Sequence, residues 1–424
     1  MRNIYLLGVA ILLSSVLVAQ EKKEEKKKPV VKFSGYIAYR TFMDTYESVE
    51  AREGNLYLYP QAEKLDDNGQ DINAVNQLEA ITLDTRLTAK ISGPDAFGAK
   101  VNGLVEADWN GTSNNYTRMP RLRHAMIKLS WEKASVIAGQ YWHPMFTAAC
   151  FPKTISFGAA LPFNPLNRTP QARFTYDFTE NFQVLAAAST YGYHNFSAAD
   201  PESQRNSGMP DFHGQIMYKS DAFTVGLVGG VKSLMPRTKT DEGYKTTKKL
   251  TSPDVKGFLK VKVSNVSLKT AFIYGENMTP YVMIGGFGAI QQPDSNQTGY
   301  ADDYDYSALK TMSVWFDGEI KLEAIKLGFF AGYSSILGAN DDYYTIKNFY
   351  DGEPKANSTR TANLDNIIRI SPRITYTSGK VSLSVEYMYS AAVYGTNWDV
   401  KYNVIESADA TVNHRTMLAI KYAF

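Results

Sequence analysis

The sequence contains one cysteine, Cys150, so no disulfide forms within the chain, and the fold rests on packing and backbone hydrogen bonds. After the first twenty residues no apolar run approaches the roughly 20 residues that a membrane-spanning helix needs. With a mean hydropathy of -0.30, this excludes a helical membrane protein. Charge of one sign is also missing: a formal net charge of +2 offers no whole-molecule attraction for nucleic acid. The five histidines, His124, His143, His194, His213 and His414, lack metal-ligand spacing. Gly158 and its neighbours form no nucleophile elbow, and no glycine-rich phosphate loop opens a helix; no helix is evident at all. No catalytic residue, resident metal or cofactor is therefore nominated.

What is abundant is aromatic residues and glycine, with 28 Tyr, 21 Phe and 30 Gly, a composition that suits strands, aromatic girdles and turns. The N-terminus carries Arg2, an apolar run from Ile4 to Val18, and then Ala19. This reads as a signal peptide over 1-19, with an uncleaved anchor as the alternative. Residues 20-30 read as a charged periplasmic tether and 31-424 as one β-barrel, because no linker divides the remainder.

The fold signal is dyad alternation over segments of about ten residues. Ile81, Leu83, Thr85, Leu87, Ala89 and Ile91 fall on one face, with Thr82, Asp84, Arg86, Thr88 and Lys90 on the other. Such segments predict about sixteen antiparallel strands, from 31-44 to 411-424. Their connections alternate between tight turns, such as Ser264, Glu323 and Ser378 to Gly379, and long loops. That sorting is what an outer-membrane barrel shows, with short turns and both termini on the periplasmic side. The last strand points Leu418, Ile420, Tyr422 and Phe424 to lipid and Arg415 and Lys421 inward. A terminal aromatic there resembles the signal read by barrel-assembly machinery.

Arg121-Leu122-Arg123-His124-Ala125 opens a strand that reaches Trp131, and the next runs through Gly139-Gln140-Tyr141-Trp142-His143-Pro144. This hairpin resembles the DcaP-like trimeric outer-membrane porins and, more distantly, the phosphate-selective porins. The resemblance implies a homotrimer in the bacterial outer membrane, with a third extracellular loop folded into the lumen. Met145 to Pro170 is the equivalent here. Its Phe146, Phe151, Phe157 and Phe163, stiffened by prolines, suit burial more than solvent. The expectation is a constriction loop; an external lid or a trimer contact is the alternative.

By side-chain parity the inward basic set includes Arg40, Arg86, Lys128, Arg173, Arg369, Arg373 and Arg415, outnumbering acids such as Asp84, Glu106, Asp177 and Glu386. The expected function is passive diffusion of small solutes with a preference for anions such as small carboxylates. The competing explanation is that these arginines pair with those acids. Arg121 and Arg123 either face outward, toward lipopolysaccharide phosphates and outer-membrane lipid, or turn inward at a bulge. Asp302, Asp303 and Asp305, and the Asp341-Asp342 pair, fit calcium ligands or exposed acidic loops. A non-conducting adhesin or scaffold, or a barrel hydrolase, are the rival functions.

Overall fold

The computed structural model describes residues 28-191, 201-239, 243-290, 305-342, 358-360 and 363-424. The segment read as a signal peptide and most of the tether lie outside the described residues, as do His194, Asp302 and Asp303.

Among the described residues sixteen strands form one closed antiparallel wall. The first is β1, Val30–Asp44. β2 comes in two pieces, Gln77–Ile81 and Arg86–Ser92. Next are β3 (Lys100–Asp108), β4 (Arg121–Ser130), β5 (Ala134–Trp142) and β6 (Arg168–Asp177). Then follow β7 (Phe182–Ser189), β8 (Asp211–Lys219), β9 (Phe223–Leu234) and β10 (Leu250–Val263). β11 (Val266–Glu276), β12 (Asp305–Leu322) and β13 (Ile325–Ala339) lead to β14 (Leu364–Ser378) and β15 (Val381–Trp398). β16, Thr411–Ala423, pairs back onto β1 from Met43 opposite Thr416 to Tyr36 opposite Ala423.

Alternation decides which face each side chain takes. On β16, Leu418, Ile420 and Tyr422 are exposed on the outside, whereas Arg415 and Met417 are buried inside. The exterior is therefore an apolar belt around a polar interior, the arrangement a spanning barrel requires. One end carries two-residue turns whose first residues, Ser264, Glu323 and Gly379, have φ of 50°, 48° and 55°. A left-handed residue there matches the right-handed twist of the flanking strands. The connections at the other end are longer, the first, third and sixth being L1, L3 and L6. The described helical element Pro201–Ser207, between β7 and β8, departs from the helix-free expectation.

Besides register shifts near the loop ends of β12 and β14, parity fails at two places that bear on the expected faces. β2 breaks at residues 82-85, where Thr85 Oγ1 accepts the Ala38 amide at 3.2 Å. Ile81 and Leu83, expected among outward residues, consequently turn inward and pack with Phe42 and Met417. The second failure is a bulge in the β3/β4 register between Glu106 and Ala107. It puts Arg123 and His124 both inside, so the outward alternative for Arg121 and Arg123 is corrected: both are buried in the lumen.

The lumen also contains a hairpin that alternation did not reveal. Within L1 (45-76), Ser48–Ala51 pairs with Leu56–Pro60, whose five residues are all buried. A segment buried on both faces shows no period of two. The hairpin joins one apolar cluster with Met145, Leu161 and Phe163 of L3 (143-167) and Met278, Tyr281 and Met283 of L6 (277-304). It is tied to the closing seam by Arg415, which forks onto Asp44 at 2.8 and 2.7 Å and reaches the Gly54 carbonyl at 2.8 Å. Arg415 lies between the Phe42 and Tyr57 rings. Removing one partner of a buried pair leaves the other charge unmatched. Arg415→Ala should therefore lower the stability of the refolded barrel by about 3 to 5 kcal/mol. An unchanged urea midpoint would contradict this.

Candidate functional site

L3 leaves the wall at Trp142, where the ring stacks on Phe146 with centroids 3.9 Å apart, and Phe146 in turn meets Phe151 at 5.0 Å. From there the loop lies against inward-pointing side chains of the opposite wall. Glu386 of β15 accepts the Ile155 amide at 2.6 Å and the Ser156 amide at 3.4 Å. Arg369 of β14 bonds the Ser156 hydroxyl and Glu386, and Asp317 of β12 accepts the Lys153 amide at 3.3 Å. Buried Lys256 of β10 donates to the carbonyls of Met145 and Phe146 and to Asn164 Oδ1. Phe163 is buried against Phe330, and its carbonyl accepts the Ser313 hydroxyl. The loop is thus fastened at its root, middle and end.

Between L3 and the wall runs a slot of two adjoining recesses: a larger one of about 350 Å³ against β1, β2, β4 and β16, and a lower one of about 260 Å³ against β12 to β16 and β1. Both share Arg40, Lys153, Thr154, Ile155 and Lys421, which mark its waist. Six basic side chains line the larger recess, Arg40, Arg86, Arg123, Lys153, Arg168 and Lys421, against one acid, Asp84. Their charges are not equally available. Arg40 pairs with Asp84, and Asn55 of the L1 hairpin touches both. Arg123 bonds Glu106 at 2.7 Å and Asp108 at 2.8 Å, while Arg121 forks onto Asp108. Arg86 lies 3.7 Å from Glu106. Lys153, Lys421 and Arg168, by contrast, have no carboxylate within ion-pair distance among the described residues. Instead each stands over a ring: Phe151 at 4.2 Å, Tyr36 at 3.8 Å and Trp142 at 4.8 Å.

The residues singled out in the sequence are distributed as follows. Arg40 and Arg86 line the slot; Arg373 borders its lower recess and pairs with Asp317 at 2.8 Å. Arg369 and Arg415 are buried struts beneath L3 and L1 and reach no open space. Lys128 and Arg173 lie in a separate recess on the other side of the L3 root. Phe146, Phe151 and Phe157 line the larger recess of the slot, Phe146 with almost no exposed surface, whereas Phe163 is buried against Phe330 of the wall. Lys153 and Arg168 escaped sequence reasoning. Lys153 sits in a loop without period, and Arg168 precedes the expected start of its strand, so parity assigned neither. As for calcium, Asp305 pairs with Lys248 at 2.9 Å and Asp341 accepts the Ser307 hydroxyl, and no metal-binding cluster occurs among the described residues.

No family model matches the sequence, and no curated protein matches it at the sequence level. Solved structures do match. The outer-membrane channel DcaP of Acinetobacter baumannii aligns over 96% of this chain and 100% of its own, with 16% identity and a TM-score of 0.66. An anion-selective porin from Comamonas acidovorans aligns over 94% and 100%, with 7% identity and a TM-score of 0.58. OmpT, an outer-membrane protein of Vibrio cholerae in its trimer form, aligns over 94% and 100%, with 11% identity and a TM-score of 0.54. The resemblance read from the 121-146 hairpin is thereby borne out at the level of fold.

The L3 fastenings generate a direct expectation. Glu386→Ala removes the acceptor of two L3 amides and leaves buried Arg369 without its carboxylate. Single-channel conductance should then rise or become noisy, while the variant keeps its β spectrum. Conductance identical to wild type would show that L3 does not depend on Glu386.

Proposed function

We propose that this barrel is an outer-membrane diffusion channel for small solutes that prefers anions. The observation that carries the reading is the slot lining: six basic groups against Asp84 in the larger recess, with Lys326 and Arg373 against Glu319 added in the smaller, and Lys153, Lys421 and Arg168 unneutralised. In a narrow lumen with low-dielectric walls, unpaired charge of one sign raises the local concentration of counter-ions and repels co-ions. L3 acts as the constriction, because it separates the slot from the rest of the lumen. The short-turn end faces the periplasm and the long loops face outward, in contact with lipopolysaccharide, as in barrels of this construction. Small carboxylates fit the lining, since ammonium and guanidinium groups both donate to carboxylate oxygens. No catalytic step belongs to this reading.

Assembly as a homotrimer is part of the proposal. On the outward row of Gly103, Ile127, Ala138, Ala172 and Ala188 across β3 to β7, small side chains flank the protruding Ile127, which offers a second wall a close approach around one apolar knob. The outward faces of β12 to β16 instead carry Phe316, Phe329, Ile370, Val385 and Leu418. The trimer form of the V. cholerae protein supports the same stoichiometry. Light scattering of the detergent-extracted protein should give three chains per particle; a monomer would remove this part.

Planar-bilayer recording in a salt gradient tests the channel itself. The reversal potential should have the sign of anion preference, and Lys153→Glu with Lys421→Glu should shift the permeability ratio toward cations by about threefold or more. A silent barrel or a cation-selective wild type would overturn the reading. Lys153 adds a pH dependence. Burial first, then nearby Lys269 and Lys260, lower its pKa from 10.5, opposed by Glu319 and Asp317. A lowered lysine pKa means the charge is lost earlier as pH rises. Anion preference should therefore weaken on the alkaline side before free lysine would titrate, and Lys153→Gln should abolish that early component.

A further inference from the structure

We propose that the lumen holds a second anion site, a recess under the root of L3 and separate from the slot, which takes a small carboxylate with a short apolar body. The inference rests on the channel reading but concerns different residues. The recess, about 260 Å³, is bounded by β4 to β8 and by the stretch from Trp142 to Ala149, which divides it from the slot. It opens through Asp177, Gln183 and Met217 toward the short-turn mouth.

Two cationic donors serve it. Lys128 makes no hydrogen bond or ion pair among the described residues. Arg173 is held in place without being neutralised: Nε donates to Gln171 Oε1 at 3.0 Å, Nη2 donates to the Trp142 carbonyl, and the guanidinium lies 5.5 Å from the Tyr141 ring centre. His143, 1% exposed, closes the recess toward the loops, its ring packed on His213 and Tyr281 with centroids 4.5 and 4.9 Å away.

The other lining selects the occupant. Ile137, Leu185 and Met217 supply apolar surface interleaved with Ser135, Thr175 and Gln215, and the one acid, Asp177, is engaged by Gln183 at 2.6 Å. A carboxylate can accept from the lysine and the arginine while a short carbon tail covers the apolar surface. Inorganic phosphate has no tail and would leave that surface uncovered.

Saturation-transfer NMR of the full chain in detergent micelles, with butyrate as probe, tests the site. Butyrate contact should be strong in wild type, fall about fivefold or more in Lys128→Gln and in Arg173→Gln, and persist in a Lys153→Gln, Lys421→Gln double variant. Equimolar phosphate should not displace it. Lys128→Gln breaks no internal contact, so the test does not hinge on a variant that fails to fold. Unchanged butyrate contact in Lys128→Gln, loss confined to the slot double variant, or displacement by phosphate would each overturn the recess. The reversal potential stays a separate measurement: a cation-selective channel defeats the channel reading, whereas the butyrate series alone decides this site.

Discussion

A chain that crosses lipid must satisfy every backbone N–H and C=O within itself, and a sheet can do so only by closing. That constraint governs this molecule from the β16–β1 seam inward. Closure gives each wall residue a fixed side, so polar side chains collect in the lumen while Leu418, Ile420 and Tyr422 stay outside. Charges gathered in this way are partly desolvated and need partners there. The lumen answers with shared acids: Asp108 holds Arg121 and Arg123, Asp317 holds Lys269 and Arg373, and Asp44 holds Arg415. Glu386 divides its oxygens between Arg369 and the amides of L3.

A sixteen-strand wall encloses more space than its own side chains fill. L1, L3 and L6 take up much of the remainder as one apolar cluster, including Tyr59, Phe163 and Tyr281, resting on Trp315 and Phe330 of the wall. The interior thus resembles the core of a soluble domain set inside a barrel. Beside that cluster the larger recess of the slot lies against β1, β2, β4 and β16, and a separate recess remains beneath the L3 root. The same acids that stabilise the wall also fasten the loops. Fold stability and lumen shape therefore depend on one set of ion pairs.

Most of the fold was legible in the sequence. Strand alternation, turns as short as Ser264 and Glu323, and the even strand total all follow from the period of the pleat. Legibility ended where that period is interrupted. The break at residues 82-85 reversed Ile81 and Leu83, and the bulge at Glu106 brought Arg123 and His124 to the same side. The L1 hairpin has no alternation because both faces of Leu56–Pro60 are buried. The charge partners were hidden for another reason. Arg373 and Asp317 lie 56 residues apart, on strands separated by another, and only register brings them together. A count of inward arginines therefore overstated free charge, and it missed Lys153 and Arg168, which parity does not address.

Lysines such as Lys256 and Lys269 also serve as buried struts here, but the two cations suit different duties. A guanidinium matches a carboxylate fork in geometry and gives up its hydration readily, which makes arginine the better strut in a dry interior. Arg121, Arg369 and Arg415 serve in that way, each on a carboxylate beside it. An ammonium is a compact, strongly hydrated charge on a flexible stem, better placed where water remains. Lys153 and Lys421 occupy that position at the waist of the slot. On the channel reading, a solute there would meet point charges on flexible stems in place of preformed forks, attractive enough to favour entry and loose enough to let it leave.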